Sequence, residues 1–284
     1  MNPQVRGRGV IFPADVFNSR SIDEEFRSEA DVVWSLGGEV ILIDHTELVA
    51  GSLVTKTHFS GEAYYRGWMM EEESYSLMDT KMSDRGIHLL TSTEEYAKGY
   101  YFHGWYENFK HLTPRSYWFA PTQTEYLEEV EKHCGVGPYF VKDSVKSRKH
   151  EWDTACYAPT LEVLPEIVGN LLGLQTGQKP PFIVVREFEK FRKDQGEVRV
   201  WWVQGRPVVS TPHPDTPSSL PAVETEFMAE VTKAVKELEC PFVTTDLAQL
   251  VDGRWRVIEV SDGQVSGLPR GFDFTPLMFA LLNS

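Results

Sequence analysis

At 284 residues and a formal net charge of −14, the chain is long enough for a large core split into two or three subdomains. Its acidic balance argues against general affinity for nucleic acid or anionic membrane, although a local basic cleft is compatible with it. Three scattered cysteines, Cys134, Cys156 and Cys240, do not form a disulfide framework, and no stretch reaches the ~18 apolar residues of a membrane span.

The opening "MNPQVRGRGV" lacks the apolar run of a signal peptide, so a cytoplasmic protein is expected. The eight histidines show no zinc-ligand spacing, and no transition-metal site is expected.

In chain order, "RGVIFP" reads as a strand, "SIDEEFRSEADVVWSLGG" as a helix, and "EVILID" as a second strand. Ser21 with Glu24 has the form of a capping box, and Gly37-Gly38 is a helix stop. Strand, helix, strand in alternation implies a parallel sheet. "GEAYYRGWMM" is a strand-like aromatic run that puts Arg66 at a strand end, where open α/β sheets place ligands; a surface arginine beside a packing tryptophan is the alternative. An acidic helix follows, then helical segments over 93–112, then the extended "TPRSYWFAP" carrying Arg115.

From about residue 122 the pattern changes. The helix "TQTEYLEEVEKHCG" leads to the strand "GPYFVKD" and a basic loop, "SVKSRKHEWDT". Lys142, at the end of that strand, suits a fixed charge near phosphates, with Lys146, Arg148 and Lys149 on a loop that either closes over them or is merely solvated. The helical "TLEVLPEIVGNLLGL" precedes "PFIVVREFEKF", a strand that becomes "EFE". Glu187 and Glu189 there either leave the core for water or flank a hinge with an acid for ribose hydroxyls. In "GEVRVWWV" alternation puts Glu197, Arg199, Trp201 and Val203 on one face, so Arg199 either stacks on tryptophan or points into a site. After a Pro-rich loop and the amphipathic helix "AVETEFMAEVTKAVKELEC", the chain ends in a hairpin. This order reads as α+β, with antiparallel sheets covered by helices.

That hairpin, "FVTTDLAQLVDGRWRVIEV", turns at Asp252-Gly253, a pair suited to a two-residue type I′ turn. Leu250 then faces Trp255, Ala248 faces Val257 and Asp246 faces Glu259. Two opposed carboxylates, with β-carbons roughly 4.5–5.5 Å apart, destabilise a sheet unless something positive lies between them. A magnesium ion held together with nucleotide phosphates meets that need. Protonation of one acid, or a one-residue slip turning both to water, meets it as well.

The ordered set "RGWM", "TPRSYWF", "PYFVKDSVKSRKHEW", "VVREFE", "GEVRVW", "TTDLAQLVDGRWRVIEV" and "SDGQVSGLP", over roughly residues 60–270, resembles the ATP-grasp superfamily. The whole chain is similar to a bacterial and phage-associated group of small ATP-grasp proteins assigned to amide-bond chemistry. The resemblance implies an α/β N-terminal (pre-ATP-grasp) unit over 1–110, then an α+β ATP-grasp fold with antiparallel sheets gripping the nucleotide. Its first lobe, with the phosphate-covering loop, would span 111–180, and its second lobe, with the adenine hinge and metal hairpin, 181–284.

The resemblance further implies ATP and magnesium as cofactors, with an acyl phosphate formed from a carboxylate and attacked by an amine. Lys142 and Arg115 would contact phosphates, Lys146 and Lys149 the covering loop, Glu187 and Phe188 the adenine, and Glu189 the ribose. Glu197 belongs to the same ATP-binding set. Arg199 would face the transferred phosphoryl group, while Asp246 and Glu259 would hold magnesium. Ser261 stands where many members have asparagine, so the second metal position falls to Ser261 or to Asp262. Arg66, Asp262, Gln264 and Ser266 are the candidate substrate contacts. Partners would be small-molecule or peptide carboxylates and amines. A phosphotransferase acting on a hydroxyl and a nucleotide-responsive binding protein without turnover are the competing readings.

Overall fold

The computed structural model describes residues 7–55, 57–145, 149–174, 180–192, 194–269 and 271–284. Three sheets follow one another along the chain. The first contains β1 (Arg8–Asp15), β2 (Asn18–Ile22), β3 (Glu39–Ile43), β4 (Gly61–Tyr65) and β5 (Ile87–Leu89). β1 pairs in parallel with β3 and β4, and β4 with β5, as the strand–helix–strand order implies; β2 alone is antiparallel. β1 is buried from Gly9 to Ala14, the mark of a strand covered on both faces.

Among the described residues of this part, the helices are α1 (Arg27–Ser35), α2 (His45–Val49), α3 (Glu72–Ser83) and α4 (Thr93–Tyr100). The expected Ser21–Glu24 capping box is not formed. Ser21 lies in β2, and the Asp23 carboxylate instead caps a short 3-10 turn by accepting from the Glu25 N–H, after which α1 begins. A capping box does form at α4, between Ser92 and Glu95.

After α5 (Phe102–Phe109), the second sheet holds β6 (Ser116–Phe119), β7 (Tyr139–Asp143), β8 (Tyr157–Ala158) and β9 (Ile183–Glu187) in the order β6-β9-β7-β8, all antiparallel. α6 (Leu127–Cys134) and α7 (Leu164–Gly173) pack on it through Val130, Leu164, Ile167 and Leu171. Because β9 lies between β6 and β7, the chain passes to the next sheet only after Glu187.

The third sheet, β10 (Val198–Val203), β11 (Arg206–Pro212), β12 (Phe242–Gln249) and β13 (Trp255–Asp262), is antiparallel in the order β11-β10-β12-β13. Every residue of β10 is buried. Val198, Val200 and Trp202 face α5 and α8 (Thr225–Leu238), while Trp201 and Val203 face the first sheet, α1 and α9 (Thr275–Asn283). The alternation of "VRVWWV" therefore makes this strand the shared wall of two cores. Among the described residues no helix is long and apolar enough to cross a membrane.

Candidate active site

The second and third sheets face each other across a cavity of about 340 Å³. Its second-sheet wall carries Phe140, Lys142 and Arg186, which alternation and the Phe140–Arg186 pairing put on one face. The opposite wall carries Ala248, Ile258 and Glu259, and the segment Glu187–Arg192 joins the two. The hinge runs on alongside β12, with the Arg192 N–H donating to the Gln249 carbonyl at 2.8 Å.

Asp246 and Glu259 are direct partners in the β12–β13 ladder. They reach that pairing by a route the sequence does not reveal. The turn spans three residues, with the Leu250 N–H donating to the Arg254 carbonyl and Gly253 at φ +94°, so Leu247 pairs with Val257 and Gln249 with Trp255. A β-bulge at Ile258 then adds one residue to β13 and restores the Asp246–Glu259 pairing.

Each acid meets a cation of the protein itself. Lys142 Nζ donates to Glu259 Oε1 at 2.6 Å, reaching from β7 to β13 across the cavity. Arg199 donates through Nε and Nη2 to the two oxygens of Asp246 at 2.7 and 2.8 Å. Its remaining arm, Nη1, donates to the Gly267 carbonyl at 3.0 Å. Burial by itself would raise the Asp246 carboxyl, but the Arg199 charge and hydrogen bonds, joined by His213, hold it well below the usual carboxylate range. His213 Nδ1 accepts the Asp215 N–H, which leaves the proton on Nε2, 3.5 Å from Asp246 Oδ2.

Around this centre, Glu187 and Glu189 line the cavity already paired. Arg115 forks onto Glu187 at 2.8 and 3.0 Å, and Arg256 Nε donates to Glu189 at 3.0 and 3.1 Å. The Arg115 side chain is 58% exposed and does not itself line the cavity, meeting it only through Glu187. The N–H groups of Glu187 and Phe188 donate to the carbonyls of Arg115 and Pro138, so neither is the hinge donor presented to a base. Phe188 contributes its ring instead, packed edge-on against Trp152 and Tyr157. Glu197 lines the same cavity. Ser261 lies two residues past Glu259, across from Thr244. Lys146 lies outside the described residues; Lys149 begins a short 3-10 turn, and its side chain also lies outside them.

The four expected substrate contacts are not brought to this cavity. Arg66 is 1% exposed, and its fork is filled by Glu29, with Nε and Nη2 each 2.8 Å from a carboxylate oxygen. Nη1 gathers the carbonyls of Gly263, Gln264 and Ser266 at 2.6–3.1 Å, and the guanidinium lies 5.4 Å from the Trp201 ring. The arginine stacked on that tryptophan is therefore Arg66 rather than Arg199, and a substrate carboxylate finds no open fork on it.

Asp262 is fully buried on the face of β13 opposite Glu259, which removes it as an alternative metal ligand to Ser261. Gln264 accepts from the Tyr65 N–H and donates to Asp262 Oδ1, fastening the 263–267 loop to the first sheet. The Ser266 hydroxyl bonds Thr244 and the Asp262 carbonyl. A second cavity of about 760 Å³ lies beyond them, lined by Arg66, Trp68, Ser266, Leu268 and Phe274 among others.

Sequence reasoning passes over Arg186, His213, Trp152 and Arg256. Arg186 carries a readable signal, since alternation in "VVRE" sets it beside the Lys142 face; His213, inside "TPHPDTP", carries none.

Two opposed carboxylates are enough for magnesium, which takes one or two protein carboxylates together with phosphate oxygens, and their hard oxygen donors suit it. Among the described residues no cluster of three or more His, Cys, Asp or Glu side chains is placed to hold a metal by itself. A site completed by a ligand's phosphates agrees with both facts.

A family model for an ATP-grasp domain, the third family of its clade, matches residues 129–281. A search of curated proteins found no match. Among solved structures, the chain is similar to the D-alanine-D-alanine ligase from Coxiella burnetii, with TM-score 0.66, 11% identity, and 98% of this chain and 94% of that one covered. It is similar to D-cycloserine synthetase DcsG, with TM-score 0.64, 14% identity and 98% of each chain covered. It is also similar to the ATP-grasp ligase PsnB in complex with minimal precursor, Mg and ADP, with TM-score 0.59, 14% identity, and 96% and 97% covered. At such identities the likeness is one of fold.

Proposed function

The chain belongs to the ATP-grasp domains, in the third family of one of their clades, and from that premise we propose that it is an ATP-dependent ligase joining a carboxylate to an amine through an acyl phosphate. One observation carries the reading: two acids are paired across a β-ladder, each bound to its own cation, with Lys142 and Glu259 lining the cavity between two sheets and Arg199 and Asp246 buried in the next row behind it. Such a site holds the charges of phosphoryl transfer in balance before any ligand enters.

In this reading ATP exchanges the partners of both ion pairs. Lys142 leaves Glu259 for phosphate oxygens, and Arg199 loosens from Asp246 toward the transferred group. Asp246 and Glu259 are the residues that would hold magnesium, which when bound would supply positive charge against the phosphates. The aromatic set Phe140, Trp152 and Phe188 supplies apolar surface for the base.

A substrate carboxylate oxygen attacks the γ-phosphorus and the bond to the bridging oxygen breaks, releasing ADP. The amine nitrogen then attacks the acyl carbon, the carbon–oxygen bond to phosphate breaks, and the amine proton is lost to solvent. Lys142 and Arg199 would act by charge and placement, the usual means of phosphoryl-transfer catalysis.

The similar structures support the substrate class in outline, since they include a D-alanine-D-alanine ligase and a ligase complexed with a precursor. Thermal unfolding with and without magnesium and ATP, on the unaltered chain, Lys142→Ala and Glu259→Gln, tests the site. At a ligand concentration about a hundred times Kd, binding adds ~2.7 kcal/mol. The shift should need magnesium and be weakened in both variants. Hydroxylamine then tests the reaction: a hydroxamate formed with a carboxylate supports ligation, and ADP release without one points to transfer onto a hydroxyl. No shift in the unaltered chain overturns the proposal.

A further inference from the structure

Arg186 points from β9 into the wall of the cavity, 4% exposed, yet the proposed chemistry gives it no part. Its contacts explain the burial. Nη1 donates to the Ile258 carbonyl at 2.7 Å, and Nη2 to Thr113 Oγ1 at 2.5 Å. Thr113 in turn donates to the Val257 carbonyl at 2.7 Å, and the Val257 N–H donates to the Leu112 carbonyl at 2.8 Å.

Three hydrogen bonds thus converge on two consecutive residues, Val257 and Ile258, and a fourth links Arg186 to Thr113. Those residues are the bulge, the place where β13 gains the residue that sets Glu259 opposite Asp246. The guanidinium is also packed 5.6 Å from the Phe102 ring, which fixes it from the far side.

A bulge is a local choice between registers. Without outside restraint, β13 has the alternative of continuing the register it leaves the turn with, which would carry Glu259 to the other face of the strand. A fixed donor on the carbonyl of the bulged residue opposes that slip. Burying an arginine is costly, and burial does lower this guanidinium, to about 10, against the pull of Glu259. Such a cost is offset where the charge has a structural task.

We infer that Arg186 is a positioning residue: it locks the Ile258 bulge, and through it sets Glu259 across from Asp246 for magnesium. The role in metal binding rests on the reading of those two acids given above, whereas the lock on the bulge is a property of the ligand-free chain. Arg186 also precedes the hinge residues Glu187–Glu189, so one side chain ties the base-facing lobe to the acid-bearing hairpin.

Two measurements on Arg186→Lys test this, because lysine keeps the charge and loses the fork. Amide hydrogen exchange of the ligand-free chain should quicken about tenfold at residues 257–260 while α8 is unchanged. At fixed ATP, the half-saturating magnesium concentration in the thermal-shift assay should rise about tenfold or more, as for other residues that orient a metal ligand. Thr113→Val, which removes one acceptor of the guanidinium, should act in the same direction more weakly, and it carries the test if Arg186→Lys does not fold. Unchanged exchange at 257–260, or a rise spread equally over α8, overturns the inference. Absence of any magnesium-dependent shift in the unaltered chain would overturn the ligase reading instead, and the exchange comparison would still decide the role of Arg186.

Discussion

Arg199 and Asp246 are direct partners on β10 and β12, joined by two hydrogen bonds of 2.7 and 2.8 Å. The next partner in the same row, Glu259, is matched to Lys142 from the facing sheet. Acid and base therefore alternate through the site, and the repulsion expected between Asp246 and Glu259 is relieved by the protein's own cations. A ligand with phosphates and magnesium meets these groups in pairs that can exchange partners, the cations turning to phosphate oxygens and the carboxylates to the metal.

Removing one member of a buried ion pair leaves the other without compensation. The Arg199 and Asp246 side chains are 10% and 3% exposed. Arg199→Met should cost about 3–5 kcal/mol in urea unfolding of the ligand-free chain. Arg199→Met combined with Asp246→Asn should cost clearly less than that single change, because no bare carboxylate remains. A double variant as unstable as the sum of its parts would mean that the two side chains do not compensate each other.

Arg66 and Glu29 form a second buried pair, with side chains 1% and 5% exposed. Their task is to join α1, the end of β4 and the 263–267 loop, whose Gly267 carbonyl holds Arg199. Arg66→Met should therefore lower stability by about 3–5 kcal/mol. Glu29→Gln should cost less, because glutamine still accepts one hydrogen bond and the three carbonyls still hold the guanidinium. A residue that only bound substrate would leave urea stability within about 0.5 kcal/mol of the unaltered chain.

Much of this is legible in the residues. The parallel first sheet and the antiparallel third sheet follow from element order and alternation, and the expected Asp246–Glu259 pairing is present, although the expected two-residue turn is not. The pairing is nevertheless reached through two offsetting shifts. Gly253 closes a three-residue turn in place of the expected two-residue one, and Ile258 supplies a bulge that an apolar residue in an apolar strand does not announce. Arg66 misleads for a different reason: its partner Glu29 lies 37 residues earlier, and no local spacing links them. The partners of the Glu187 and Phe188 amides, the carbonyls of Arg115 and Pro138, lie on the approaches to other strands and are not readable from local sequence. Periodicity shows which face a residue takes; it does not show what waits opposite.

Asp262 gives the last prediction, through pH. Burial pushes its carboxyl up to about 8, against hydrogen bonds from Gln264 and the charge of Arg66, and its Oδ2 has no hydrogen-bond partner. In the unfolded chain the same group ionises near about 3.9. Between those two values the folded chain holds a proton that the unfolded chain has lost, so folding stability falls as pH rises. The contribution is fully present below about 3.9 and is lost as pH climbs through about 8. Asp262→Asn removes the titration while keeping the size and an acceptor for Gln264. Comparing urea unfolding at pH 5 and pH 8, the unaltered chain should lose a few kcal/mol more than the variant over that interval. Parallel losses in the two proteins would mean that Asp262 is ionised in the folded state, with its charge met by a group other than Gln264.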